Sequence, residues 1–188
     1  MPCSFITFSG VVSDVKQSEN KTIATVFPQS ENAPPIIVSA YGDNQRLVGL
    51  NGQFSVISGK VIHTGDSFMV DLAECWITSD WGSPIATAVI VGKVNLRYTE
   101  KKQTANGKEF YSFQVSYYTG KENGKAKYYN WRIKVWGGSI PYYEKLGDGD
   151  QVALTNCRLS WSAGKDKDKV YLEAAPFGFP MKIWGGQQ

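Results

Sequence analysis

The sequence predicts an all-β protein built from two similar halves. Short runs of alternating apolar and polar residues recur along its 188 residues, and glycine or proline separates them. Few stretches show the spacing of apolar residues that an amphipathic helix requires. Strands and short helices also follow the same order in both halves, which indicates an internal repeat of roughly 85 residues.

The first half contains five predicted strands and one short helix. Each strand alternates apolar and polar residues and stops at a Gly, Pro, Asn or Asp cluster. The helix DNQRLVGL (43–50) lies between the third and fourth strands and is followed by the turn at Gly52. The predicted strands are FITFSGVV (5–12), TIATVF (22–27), PIIVSAY (35–41), QFSVISGKVI (53–62) and SFMVDLAECWI (67–77).

The second half repeats this order. A short helix, SIPYYEKL (139–146), has Pro141 near its start and Gly147 at its end. The segment 78–87 separates the halves, so we expect domains at 1–79 and 86–188. The predicted strands are TAVIVGKV (87–94), EFYSFQVSYY (109–118), YYNWRIKVW (128–136), QVALTNCRLSW (151–161) and KVYLEAAPF (169–177).

Five strands with a short helix between the third and fourth have the order of the OB-fold. This five-stranded Greek-key barrel commonly binds oligonucleotides. An aromatic-Gly pair precedes the helix in each half, at Tyr41-Gly42 and Trp136-Gly137. The sequence therefore predicts two tandem OB-fold barrels.

Charge is distributed unevenly between the halves. Residues 1–85 contain four Lys/Arg and eight Asp/Glu, a net of −4, whereas residues 86–188 contain sixteen and nine, a net of +7. The imbalance can reflect solvated faces alone. The alternative reading is that the second half binds a polyanion and the first half mostly does not.

Several classes of function lack the residues that they need. Cys3, Cys75 and Cys157 form no CxxC motif and His63 is the single histidine, so we expect no metal, no cofactor and no disulfide framework. No GK[ST] loop or HExxH motif is present, and we expect neither an enzyme nor a small-molecule substrate. The N-terminus has no signal-peptide pattern and no membrane span, which favours a cytoplasmic protein.

The strand at 128–136 places aromatic and cationic residues on one face. Alternation assigns Tyr129, Trp131, Ile133 and Val135 to the core face. Arg132, Lys134 and Trp136 then lie on the outer face. An exposed indole between cations is suited to stacking on an unpaired base while the cations contact phosphates.

The second half resembles the bacterial-type single-stranded DNA-binding proteins. The motifs that carry the resemblance are VIVGKV (89–94), LRYT with a later Gly-Lys (96–108), Trp136-Gly137, EKLGDGDQVAL (144–154) and CRLSW (157–161). The resemblance implies sequence-independent binding of single-stranded DNA in replication, recombination or repair, in the bacterial nucleoid or encoded by a phage. It also implies four barrels in the assembly and hence a homodimer of this chain.

The predicted site combines stacking residues with phosphate-binding residues. Trp131 stands one place away from the position at which the family has an aromatic residue. Alternation along the strand points Trp131 to the core, whereas a bulge would turn it outward. The candidate stacking residues are Trp136, Trp161, Tyr118, Tyr128 and Trp131. The candidate cations are Lys93, Arg97, Lys101, Lys102, Lys108, Lys121, Lys125, Lys127, Arg132 and Lys134, of which many fall in the predicted loops 97–108 and 119–127.

The first half is expected to serve assembly. Its third strand has no cation, and Tyr41 stands where the second half has Trp136. An alternative function for the whole chain is an OB-fold adaptor that binds protein partners or RNA in a replication or restart complex.

Overall fold

Strands form nearly all of the regular structure. The computed structural model describes residues 3–30, 33–42, 44–64, 67–78, 84–163 and 170–184. Residues 79–83 of the predicted linker and the hairpin residues 164–169 lie outside the described residues. In the described part, no helix combines the length and apolar character needed to cross a membrane.

The element order confirms the all-β class and the repeated layout. The first half contains β1 (Cys3–Ser18), β2 (Lys21–Pro28), β3 (Ile36–Tyr41), α1 (Gln45–Gly49), β4 (Phe54–Thr64) and β5 (Ser67–Ile77). The second half contains β6 (Ala86–Gln103), β7 (Glu109–Glu122), β8 (Lys125–Trp136), a 3-10 turn (Gly137–Ser139), α2 (Ile140–Tyr143), β9 (Gln151–Ala163), β10 (Val170–Pro176) and β11 (Met181–Trp184). The strand β11 was not predicted.

Strands β1 to β5 close into a five-stranded barrel. β1 pairs with β2 and β4, β2 pairs with β3, β5 pairs with β4, and β3 and β5 pair in parallel. Phe8, Val26, Val38 and Ile57 are fully buried in its core. Gly10 is required because a Cβ there would lie 2.9 Å from the backbone carbon of Phe27 on the adjacent strand.

Strands β6 to β10 are joined in the same order. β6, β7 and β8 are antiparallel neighbours, and β8 pairs with β10 in parallel. β9 lies beside β10 and also pairs with β6, while β11 adds to β9. Ile90, Phe113, Ile133 and Leu154 are buried. The chain divides into two compact units, Phe5–Thr87 with Trp161–Tyr171, and Met1–Ser4 with Ala88–Ser160 and Leu172–Gln188.

The prediction that residues 97–108 and 119–127 form loops is wrong, because most of each range belongs to the strands of a β-hairpin. β6 continues to Gln103 after a bulge, because Asn95 pairs with Gln114 and the pairing resumes at Glu100 with Ser112. β7 and β8 extend to the turn Asn123-Gly124, where φ is 51° and 77°, as a two-residue type I′ hairpin requires. The alternation was hidden because most side chains on these extensions are polar and exposed.

Candidate nucleic-acid interface

The outer face of β7 and β8 carries most of the candidate site. Five pairs of residues directly opposite each other run along this face, from one end of the two strands towards the other. They are Phe110 with Trp136, Ser112 with Lys134, Gln114 with Arg132, Ser116 with Asn130, and Tyr118 with Tyr128. Both ends of the row are aromatic and its middle is polar or charged.

Trp136 and Phe110 form the first aromatic pair. Their ring centroids are 5.3 Å apart at an interplanar angle of 45°. Trp136 is 41% exposed, so part of its side chain is open to solvent. Lys134 Nζ lies 5.5 Å from the centroid of the Phe110 ring, which is within the range of a cation–π contact. Phe110 was missed by the sequence reasoning, although its alternation with the buried Tyr111 is the signal that reveals it.

Tyr118 and Tyr128 form the second aromatic pair. Their centroids are 5.9 Å apart in an edge-to-face arrangement, and both rings are exposed. Tyr117, which points to the opposite face of β7 from Tyr118, is buried. Eight residues of β8 separate Tyr128 from Trp136, which places the two pairs ~26 Å apart at ~3.3 Å per residue.

Among the described residues, ion pairs link five charged side chains beside the first pair, and we call them the charged cluster. Glu173 on β10 lies 3.3 Å from Arg132 and 2.6 Å from Lys134. Glu100 on β6 lies 2.8 Å from Lys102 and 3.9 Å from Arg132. Three cations and two carboxylates leave this cluster with a net charge of +1, so its cations are largely neutralised within the protein.

A row of polar side chains crosses the middle of the face. Asn95 donates to Ser116 Oγ at 3.5 Å, and Ser116 Oγ donates to Asn130 Oδ1 at 2.5 Å. These three residues lie on β6, β7 and β8. Sequence reasoning missed them because single Asn and Ser residues carry no distinctive pattern until the strand register is known.

Trp131 and Trp161 are corrections to the predicted stacking set. The Trp131 ring is fully buried, and its indole N–H donates to Ser4 Oγ at 2.7 Å. Trp161 is buried as well, and its Nε1 has no hydrogen-bond partner in the described part of the chain. Neither ring can stack on a base in this structure, because core packing covers both faces.

The remaining candidate cations fall into separate groups. Lys93 and Arg97 are exposed on β6, and the Arg97 guanidinium lies 5.5 Å from the Tyr98 ring centroid. Lys101 points to the opposite face from Lys102. It pairs with Glu144 at 3.0 Å, and this hydrogen bond raises the pKa of Lys101. Lys108 is exposed in the β6–β7 turn, while Lys121, Lys125 and Lys127 lie on the extended β7–β8 hairpin.

The corresponding face of the first unit is apolar. Tyr41 on β3 is 82% exposed, and Ile37 on the same face of that strand is exposed as well. Ser39 lies between them and is buried. Phe27 on the neighbouring β2 is exposed too. This face presents rings and aliphatic side chains, with Lys21 opposite Tyr41.

Comparison with known proteins gives a match at the level of structure. No protein-family model matches the sequence, and no curated protein matches it significantly. A structure of the wild-type single-stranded DNA-binding protein from Thermus aquaticus aligns with a TM-score of 0.64 and 11% identity, covering 100% of this chain and 95% of that one. A deletion mutant of the same protein aligns with a TM-score of 0.63 and 11% identity, covering 100% and 97%. The resemblance inferred from the motifs is thus confirmed in the fold, and this chain has the fold of a single-stranded DNA-binding protein.

Proposed function

We propose that the protein binds single-stranded DNA without regard to sequence and protects it during replication, recombination or repair. The observation that carries this proposal is the exposed Trp136 ring, paired with Phe110 and lying beside Lys134 and Arg132. Stacking of a base on such a ring contributes about 1–3 kcal/mol, a range measured by alanine substitution in single-strand-binding proteins. Duplex DNA hides the faces of its bases, so this contribution is specific to unpaired strands.

The proposed strand lies along β7 and β8 and stacks on both aromatic pairs. Exposed lysines at the edges of this path supply phosphate contacts, notably Lys93 on β6 and Lys121 and Lys125 on the β7–β8 hairpin. The net charge of +7 on residues 86–188 supports an anionic ligand on this half. Each phosphate contact contributes about −0.7 to the slope of log affinity against log salt.

The experiment that tests this function is a fluorescence titration with oligo(dT), duplex DNA and RNA of matched length. Oligo(dT) should quench tryptophan emission because Trp136 stacks on a base, and duplex should bind more weakly. Unchanged emission together with absent binding of oligo(dT) would contradict the proposal. Tighter binding of the RNA would support the alternative of an RNA-binding adaptor, because stacking and charge alone do not distinguish the two polymers.

We further propose that the chain consists of two tandem OB barrels, in domains 1–79 and 86–188. The pairing order β1-β2-β3-β5-β4 recurs as β6-β7-β8-β10-β9, and a short helix follows the third strand each time. Gly92 in β6 corresponds to Gly10 in β1. A Cβ at Gly92 would lie 2.6 Å from the Ser116 carbonyl oxygen, just as a Cβ at Gly10 would collide with the backbone of Phe27. Separate expression of residues 86–188 tests whether the second domain folds and binds oligo(dT) alone.

The proposed assembly is a homodimer. Four apolar side chains are exposed on and just before the edge strand β11: Phe177, Phe179, Met181 and Ile183. An exposed apolar edge strand favours pairing with another chain. The apolar face around Tyr41 offers a second surface that association would bury. A sedimentation mass of two chains is expected, and a mass of one chain would refute the dimer.

A further inference from the structure

The two carboxylates of the charged cluster occupy different environments. The Glu173 side chain is 5% exposed, whereas that of Glu100 is 43% exposed. Glu173 holds Lys134 at 2.6 Å, and that lysine is the least exposed cation of the cluster. Glu173 therefore fixes Lys134 beside the Phe110 ring, within the protein.

The cations around Glu100 are accessible. Lys102 and Arg132 have side-chain exposures of 57% and 45%. The distance from Arg132 to Glu100 is 3.9 Å, which is an ion pair without hydrogen-bond geometry. Exposed pairs of this kind contribute little stability and exchange partners readily. Arg132 and Lys102 can thus leave Glu100 at small cost.

We propose that Glu100 competes with DNA phosphates for Arg132 and Lys102. In the free protein its carboxylate holds both cations next to the Trp136 platform, and in the complex a phosphate of the strand stacked there replaces the carboxylate. The planar Arg132 guanidinium is suited to this exchange because its several donors can bind phosphate while it retains Glu173. This inference rests on the proposed function and concerns the regulation of the same site.

The exchange lowers the salt dependence of binding. A free surface cation contributes to the salt slope because binding releases the ions condensed on DNA. A cation that is already paired with Glu100 adds nothing to the salt slope. When this cation moves to a phosphate, the Glu100 carboxylate is left exposed and attracts a counterion from solution. The wild-type slope should therefore be smaller than the number of cations on the path predicts.

Salt titrations of three proteins test this inference. Wild type, Glu100→Gln and Glu144→Gln are titrated with an oligo(dT) of about 30 nucleotides, longer than the ~4–16 nucleotides that one OB fold covers. Glu144→Gln is the matched control because it removes the carboxylate of another exposed Lys–Glu pair, Lys101–Glu144, on the opposite face of β6. Circular dichroism establishes that each variant is folded, and Glu100→Ala serves as a second variant.

Glu100→Gln should steepen the log–log slope by about 0.7 for each cation released, and Glu144→Gln should leave it unchanged. Between about 50 and 200 mM salt, each increment of 0.7 multiplies the loss of affinity by about 2.6. Equal slopes for wild type and Glu100→Gln, or equal steepening in both variants, would overturn the inference while leaving DNA binding intact. Absence of binding by the wild type would instead refute the proposed function and this inference with it.

Discussion

Trp136 and Phe110 lie directly opposite each other on β8 and β7, with ring centroids 5.3 Å apart. Phe110 supports one part of the indole and leaves the rest open to solvent. The pair is held by the strand register, which fixes both backbones, and by Lys134 at the Phe110 ring. A platform held in this way loses little side-chain entropy when a base stacks on it.

Trp136→Ala should therefore weaken oligo(dT) binding by about 1–3 kcal/mol, which is about 5- to 150-fold in Kd. Trp76→Ala is the matched control, because Trp76 is 46% exposed in the first unit and lies outside the proposed path. Tyr41→Ala should also have a smaller effect than Trp136→Ala. Fluorescence anisotropy of a labelled strand provides the measurement, and similar losses in all three variants would contradict a platform at Trp136.

The second aromatic pair should matter only for strands long enough to reach it. Tyr118→Ala is expected to weaken binding of a long oligo(dT) by about 1–3 kcal/mol, since one stacked base loses its ring. A series of shorter strands that span only the first platform should not distinguish this variant from wild type, because the pairs lie ~26 Å apart. A loss that does not depend on strand length would show that Tyr118 acts through the structure of the hairpin.

Trp131 should contribute to the stability of the fold and not to DNA binding. Trp131→Phe removes the donor of the 2.7 Å bond to Ser4 Oγ and should lower the free energy of unfolding by about 1–3 kcal/mol. The affinity of the folded protein for oligo(dT) should be unchanged, because the ring is buried. Urea denaturation of Trp131→Phe, Ser4→Ala and the double variant isolates the bond, and the double variant should cost less than the sum of the single ones.

Stability should fall at alkaline pH through Tyr129. Burial raises the pKa of Tyr129 from 10.0 to about 12. The folded state thus keeps the phenol proton where the unfolded state loses it, and the stability present below pH 10 declines as the pH rises towards 12. Tyr129→Phe should show a shallower decline of unfolding free energy over this interval, by up to about 1.4 kcal/mol per pH unit. An identical pH dependence in both proteins would show that other groups control alkaline unfolding.

The fold was predictable because its signals are local. Alternation in 128–136 points Trp131 inward and Trp136 outward, as the structure has them, and only the family's aromatic position kept Trp131 among the stacking candidates. The site was only partly predictable because ion pairing depends on the pairing of distant strands. Glu173 reaches Arg132 through a parallel pairing of β10 with β8, and no local pattern around either residue indicates it. The burial of Trp161 follows the local alternation, because Cys157, Leu159 and Trp161 are buried while Arg158 and Ser160 are exposed. The family resemblance, and not the strand pattern, had placed Trp161 among the stacking residues.

The ladder of residue pairs between the two aromatic ends has a consequence for the nucleotides above it. The middle of the ladder consists of Ser112 with Lys134, Gln114 with Arg132, and Ser116 with Asn130, and none of these side chains carries an aromatic ring. Ser112 is buried, and Glu173 pairs with both Lys134 and Arg132. A polymer gripped at both ends of this ladder keeps its intervening bases unstacked by the protein. On the proposed path, the protein would therefore hold a bound strand by two stacking platforms ~26 Å apart and would leave the bases between them without a stacking partner.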